Sequence, residues 1–441
     1  MDTAEKLTIC LLTICSTVSI TPTFAADTTS RLDGLLLHSQ AAVTQVAVSE
    51  PAIVHADGAK PPYYLPQTAL TRLHDGTLIL AGNGHRQLQS CDKGLTWQEQ
   101  QDPLTGYRLL QLRDGTFCLL QSQSEPGGRS GVFQCRRLRL KRLEDLHAPV
   151  TPSWQPVSLT VEQFKSVVGD DYTTIQAGPS PEIATELEDG TLLALCYGNF
   201  TEDHVPIRGF HPTIGEAPMY RTYLISSTDG GDTWHYLSTV AYDGSTGQES
   251  FCEPCLVNFG GGELLAVMRT GRFAPLHQAR SLDGGKTWGI PQSLETLGLQ
   301  PRITLLQNGI LVCSFGWRPL RNIYWQDTNG GYYPAGLADY HERYKSQVGI
   351  EDPSAAAGDY VMFSPDRGHT WSEPRKIAEP LTQGYTQIAA TGPDSCLVLS
   401  YRYVLPGRSP AQILHIWQHE SQTFLQDMRT LYEARRITVR P

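Results

Sequence analysis

The sequence predicts an all-β chain closed into a six-bladed β-propeller. Three observations carry that expectation. A turn-and-strand unit recurs six times, a sharper turn motif recurs four times, and the 441 residues include 40 glycines and 29 prolines. Units recurring at intervals of tens of residues mark a repeat architecture. Abundant turn residues between short apolar runs mark many short strands.

The first unit is a tight turn followed by an apolar strand. Its copies are His74 to Ala81, Arg113 to Leu120, Glu188 to Leu195, Gly260 to Val267, Gln307 to Ser314 and the degraded Pro393 to Ser400. An apolar segment also precedes each turn, such as Ile303-Thr304-Leu305-Leu306. Asp-Gly between two such runs favours a hairpin, because both residues tolerate positive φ.

The second unit is S-x-D-x-G-x-T-W, found at Ser90–Trp97, Ser227–Trp234, Ser281–Trp288 and Ser364–Trp371. In each, the aspartate can accept backbone N–H bonds of the turn, the glycine supplies an awkward φ, and the tryptophan packs between strands. The role is structural, not catalytic. Each copy follows a hairpin, so hairpins gain a second, outer hairpin. Six four-stranded blades around a channel form one propeller rather than several domains.

Leu7 to Ile20 form an apolar run that ends near Thr23-Phe24-Ala25. This reads as a secretory signal peptide over residues 1–25, with the propeller over 26–441 and a secreted or periplasmic location. No other stretch approaches the length of a membrane span. The net charge of −10 lacks the footprint of a nucleic-acid binder. The basic run Arg136 to Arg142 alternates as an outer strand with one solvated face does. Gly127 to Gly131 reads as a flexible loop, since no phosphate-cradle pattern follows it.

Of the ten cysteines, Cys10 and Cys15 fall in the signal, and Cys118, Cys196, Cys313 and Cys396 sit inside apolar strand-like runs. Buried thiols of that kind behave as small hydrophobes rather than a disulfide framework. Cys252-Glu253-Pro254-Cys255 has metal or redox spacing, but no second pair accompanies it. Neither a metal nor a cofactor is expected.

The hairpins also locate the chemistry. Strands rise about 3.3 Å per residue, so residues seven to ten positions from a turn lie about 25 Å away, at the other end of the ring. Before the turns this rim carries Glu182, Glu253, Arg302 and Tyr385; after them it carries His85, Arg86, Arg269, Arg318 and Arg402. Two carboxylates, a tyrosine and several arginines thus converge on the channel mouth. Gathering arginine is costly without an anion to receive it.

The four S-x-D-x-G-x-T-W turns are identified as Asp boxes. With the six hairpins and Trp371-Ser372-Glu373-Pro374, they make the chain resemble the sialidase (neuraminidase) superfamily, and within it bacterial BNR-repeat proteins, over nearly all of 26–441. Phe251–Arg272 resembles the sialidase stretch with the catalytic glutamate and one arginine of the carboxylate-binding triad, which implies those roles for Glu253 and Arg269. Gln383–Tyr403 resembles the stretch with the tyrosine nucleophile, which implies that role for Tyr385. Arg302, Arg318, Glu182, His85, Arg86 and Arg402 are then substrate-binding candidates.

The resemblance is incomplete. The family's Arg-Ile-Pro motif is matched by Tyr64-Leu65-Pro66, and the third arginine is absent from Ala355–Ser364. Arg302, Arg318 and Arg343 are candidates to compensate. The acid/base aspartate has no counterpart in Ala81–Ser90, where His85 is the candidate instead. Three readings follow. The leading one is an exported exo-α-sialidase-like glycoside hydrolase that releases a terminal acidic sugar through a Tyr/Glu pair. The second is a polysaccharide lyase or other glycosidase on uronic-acid glycans. The third is a non-catalytic glycan-binding propeller.

Overall fold

The computed structural model describes residues 45–57, 69–81, 86–101, 108–123, 132–140, 155–160, 180–200, 202–206, 219–247, 249–271, 274–317, 356–378, 382–409, 411–413 and 429–440. The signal-peptide expectation over 1–25 lies outside these residues. Among the described residues no helix is long and apolar enough to cross a membrane.

The chain opens with β1 (Gln45–Val48) and β2 (Ala52–Asp57), then builds successive antiparallel sets of strands. The first repeat is β3 (Ala69–Arg72), β4 (Leu78–Ala81), β5 (Arg86–Ser90) and β6 (Gln98–Gln101). The second is β7 (Arg108–Gln111), β8 (Phe117–Gln123), β9 (Val132–Leu140) and β10 (Gln155–Thr160). The third is β11 (Ser180–Glu186), β12 (Leu192–Gly198), β13 (Arg221–Ser227) and β14 (Thr233–Ala241). The fourth is β15 (Cys252–Gly260), β16 (Glu263–Arg269), β17 (Pro275–Ser281) and β18 (Gln292–Leu297). The fifth is β19 (Leu299–Leu305), β20 (Leu311–Trp317), β21 (Gly358–Ser364) and β22 (Arg375–Ala378). The last is β23 (Thr382–Ala390), β24 (Ser395–Val404) and β25 (Arg429–Arg440).

The first strands β3, β7, β11, β15, β19 and β23 neighbour one another in that order, and β23 returns to β3. This is a propeller arrangement. The strands nevertheless form five sheets, not the six separate blades expected from the repeats. The cause is an added pairing: β10 and β14, the fourth strands of neighbouring repeats, run parallel with Ser158 opposite Thr233 and Thr160 opposite His235. Their open edges satisfy each other and fuse the second and third repeats into one eight-stranded sheet. The basic run lies on β9 as far as Leu140, within this sheet.

The last sheet is completed from the other end of the chain. Both β1 and β2 pair antiparallel with β25, Val46 opposite Val439 and Ala52 opposite Ala434. The sequence reading did not foresee this closure.

The turns form as the residues dictate. Asp189 Oδ1 accepts the Thr191 N–H at 2.9 Å while Gly190 takes φ +85°, a value glycine adopts without Cβ strain. The four S-x-D-x-G-x-T-W segments share one network. In Ser281–Trp288, Ser281 Oγ accepts the Gly285 N–H (2.9 Å), and Asp283 accepts the Thr287 N–H (2.9 Å) and hydroxyl (2.6 Å). The other three repeat these bonds.

The core lies between neighbouring repeats rather than within one. Leu265 and Val267 of β16 pack with Cys313, Phe315 and Trp317 of β20, and Trp371 joins them. Leu193 and Leu224 meet Leu264 and Ala266 in the preceding interface. Val312 and Val361 meet Val398 and Ile437 in the following one. Cys118, Cys196, Cys313 and Cys396 are buried free thiols, as the apolar runs around them imply.

Candidate active site

Four first strands begin with a fault in register, and the faults fall at the rim residues. On β11 pairing with β12 skips between Pro181 and Ile183, which leaves Glu182 at the bulge. On β15 the skip runs from Cys252 to Cys255, across Glu253. On β19 it runs from Leu299 to Arg302, across Gln300. On β23 it runs from Thr382 to Thr386, across Gly384 and Tyr385. A bulge takes a residue out of the ladder and re-aims its side chain. Three of these bulges hold a residue at positive φ: Glu253 at +43°, Gln300 at +41° and Gly384 at +72°. For Glu253 and Gln300 such a backbone costs about 1–3 kcal/mol and persists only when the surroundings fix it.

The surroundings of Glu253 do so. Tyr385 Oη donates to its Oε1 at 2.7 Å, and Arg269 Nη1 donates to the same oxygen at 2.8 Å. The Gln300 N–H donates to its Oε2 at 3.0 Å. Hydrogen bonds to a charged group contribute about 1.5–3 kcal/mol each, enough together to offset the backbone strain. Side chains from β15, β16 and β23 therefore meet at one carboxylate, with the backbone of β19 closing the set. Glu253 and Arg269 are 9% and 8% exposed, buried yet open to the rim, while Tyr385 is half-buried.

Arg269 is held on its other side by Glu249, whose Oε1 accepts from Nη2 at 2.9 Å. Glu249 is fixed through its backbone: its carbonyl accepts the Tyr220 N–H at 2.8 Å, and its own N–H reaches the Thr270 carbonyl at 3.2 Å. Burial alone would lower the pKa of the Arg269 guanidinium, but Glu249 and Glu253 more than reverse that and hold it well above its ordinary value. Cys252 donates its thiol to Glu249 Oε2 at 3.4 Å. Burial first, then the Glu249 charge, pushes that thiol well up and keeps it protonated.

The other expected rim residues fall differently. Arg302 is buried at 5% exposure on β19, and its Nη1 reaches the Pro301 carbonyl at 3.3 Å. Arg402 pairs with Glu433 at 2.6 Å. Glu182 and Arg86 stand on β11 and β5. His85, Arg318, Arg343 and the Tyr64–Pro66 segment lie outside the described residues. Glu249 was missed by sequence reasoning, because it precedes the strand start and so falls outside the span measured from the turn. Its one signal is nearness to Glu253 in the sequence. Among the described residues no group of His, Cys, Asp and Glu is placed to hold a metal ion.

The arrangement can do base chemistry on a phenol. Glu253 accepts a hydrogen bond from the Tyr385 hydroxyl, and one cation steadies the carboxylate that would take its proton. Among the described residues two carboxylates share one guanidinium in this cluster.

No family model matches the chain, and no curated protein matches it. Among solved structures it is similar to a protein of unknown function from Dyadobacter fermentans, at 16% identity and TM-score 0.54 over 90% of this chain and 100% of that one. It is also similar to the Penicillium chrysogenum alpha-L-arabinanase complexed with arabinobiose (13% identity, TM-score 0.48, 88% of this chain and 98% of that one). A Hadza microbial sialidase is a third (14% identity, TM-score 0.45, 83% of this chain and 65% of that one). At such identities the first similarity shows a shared fold.

Proposed function

We propose that this chain is a glycoside hydrolase that releases a terminal acidic sugar, sialic acid or a related acid, with Tyr385 as nucleophile and Glu253 as its base. The observation that carries the reading is the 2.7 Å bond from Tyr385 Oη to Glu253 Oε1 across the rim. A sugar with a carboxylate on its anomeric carbon repels an anionic nucleophile, and a neutral phenol does not. Glu253 takes the Tyr385 proton as the phenol oxygen bonds to the anomeric carbon and the glycosidic bond breaks. The departing oxygen takes up a proton, for which His85 is the proposed donor. Water then attacks the anomeric carbon and gives a proton back to His85, the tyrosyl–sugar bond breaks, and Tyr385 regains its proton from Glu253.

Arg269 serves this proposal as a substrate-binding residue beside Glu253. Glu182, Arg86, Arg302 and Arg318 complete the proposed rim. In the same reading the eight-stranded sheet counts as two blades, which makes six, the S-x-D-x-G-x-T-W turns are Asp boxes, and residues 1–25 direct export.

The test is release of the aglycone from aryl glycosides of N-acetylneuraminic acid, of a uronic acid and of neutral sugars. Turnover is expected on an acidic glycoside and is lost in both Tyr385→Phe and Glu253→Gln. Full turnover by either variant overturns the assignment, and an ultraviolet-absorbing unsaturated product would make the protein a lyase.

A further inference from the structure

A second cationic cluster stands beside the nucleophile. Arg402 on β24 is in register with Thr382 on β23, where the bulge that ends on Tyr385 begins. Its Nη2 binds Glu433 Oε1 at 2.6 Å, and Arg435 Nη2 reaches the other oxygen at 3.3 Å. Ser400 is opposite Glu433, and Val398 is opposite Arg435. Strand alternation therefore puts Ser400, Arg402, Glu433 and Arg435 on one face of the last sheet.

The cluster is incomplete in a specific way. Among the described residues it sets one carboxylate against two guanidiniums. Glu433 is 3% exposed and Arg435 9%, so the charges are largely out of water. Among the described residues, Arg402 Nε, Arg435 Nη1 and Ser400 Oγ are buried atoms without a hydrogen-bond partner. Buried donors are costly to leave empty, and buried charge is stable when paired. Arg402 itself stays open at the rim, with its side chain 31% exposed. Arg269, by contrast, spends a donor on each of two glutamates.

We propose that Arg402, held by Glu433 and backed by Arg435, receives the substrate carboxylate on the Tyr385 side of the site. Arg402 is the contacting residue, and Glu433 and Arg435 position it. This rests on the acidic-sugar reading above and names the cation that the reading needs. A guanidinium held at one edge presents its remaining donors in a fixed fork, which suits a carboxylate better than an ammonium does.

The test compares the intact protein with Arg402→Ala, Arg402→Lys and Glu433→Gln on an acidic-sugar aryl glycoside and on its carboxamide counterpart, with a melting curve for each variant. Arg402→Ala is expected to raise KM for the acid about ten- to a hundredfold, the value of a lost charged hydrogen bond. The carboxamide KM should rise much less, since its neutral carbonyl accepts a weaker bond. Arg402→Lys should recover part of the loss, and Glu433→Gln should raise KM with kcat largely kept. Calorimetry with free N-acetylneuraminic acid and glucuronic acid reads the same subsite without turnover. If the protein turns over neither substrate yet binds an acid in an Arg402-dependent way, the hydrolase reading falls and the subsite stands. An unchanged acid KM and acid affinity in a folded Arg402→Ala would make the cluster a structural ion network and overturn the inference. Equal losses for acid and carboxamide, or no acid binding by the intact protein, would also overturn it.

Discussion

Tyr385 on β23 donates its phenolic hydrogen to Glu253 on β15 at 2.7 Å, across 132 residues of sequence. The bond joins two bulges on strands that do not pair with each other. If the two residues act as one unit, their losses are not additive. Glu253→Gln should lower kcat about 10²- to 10⁴-fold, the usual worth of a positioned base. The double variant Tyr385→Phe/Glu253→Gln should then be no slower than the slower single variant. A double-mutant cycle on kcat reads this directly, and additive losses would separate the two roles.

Glu249 tests whether Arg269 must be held from both sides. Glu249→Gln keeps the shape and the oxygen but removes a charge 2.9 Å from Arg269 Nη2. One weakened charged hydrogen bond corresponds to about a tenfold effect. The expected result is a KM raised about tenfold with a smaller fall in kcat than Glu253→Gln gives. A kcat loss as large as that of Glu253→Gln would place Glu249 in the proton transfer itself.

Much of this site was legible because a hairpin is a ruler. Once Gly262 and the degraded turn at Ser395 mark the turns, Glu253, Arg269 and Tyr385 must emerge near the other end of the ring. What strands alone do not dictate stayed hidden. Glu253 and Gln300 adopt positive φ although neither residue type favours it, because tertiary bonds impose the bulge. Glu249 enters through a bridge between Tyr220 and Ser250, outside any named strand. The pairing of β1 and β2 with β25 unites segments nearly the whole chain apart, and no local pattern announces it. The β10–β14 pairing is equally silent, since it depends on where two outer edges come to rest.

Gly316 is where packing reaches the site. A Cβ at this position on β20 would fall 2.2 Å from the Gly384 Cα and 2.3 Å from its carbonyl oxygen. Both neighbours are backbone, so no side chain can swing aside. Gly384 directly precedes Tyr385, and displacing it moves the phenol away from Glu253. Gly316→Ala should cost about 1–3 kcal/mol of stability as overpacking does, and should lower kcat as well. Thermal melting and kinetics together check it. A stable variant with an unchanged kcat would show that β20 and β23 can part without moving Tyr385.

The S-x-D-x-G-x-T-W turns should contribute to the acid sensitivity of the fold. The hydroxyl and N–H of Thr96 hold the Asp92 carboxyl down to about 2, and those of Thr287 do the same for Asp283. At Asp229 burial pushes upward, but the bonds from Thr233 and Ser227 outweigh it and leave the value at about 2. In the unfolded chain these groups return to about 3.8. A depressed folded value means that the unfolded state binds more protons between these limits. The stabilisation is therefore complete above about pH 4 and is lost as pH falls toward about 2. Each aspartate is largely solvated, so each contributes modestly, and the effect is read as a slope shared among the turns. Asp283→Asn should lower the melting temperature at neutral pH, because asparagine accepts the Thr287 bonds more weakly. It should also flatten the decline in melting temperature between pH 4 and 2, because one proton-linked group is gone. Melting curves across that range compare the two proteins, and an undiminished slope in Asp283→Asn would remove the turn aspartates as the source of acid sensitivity.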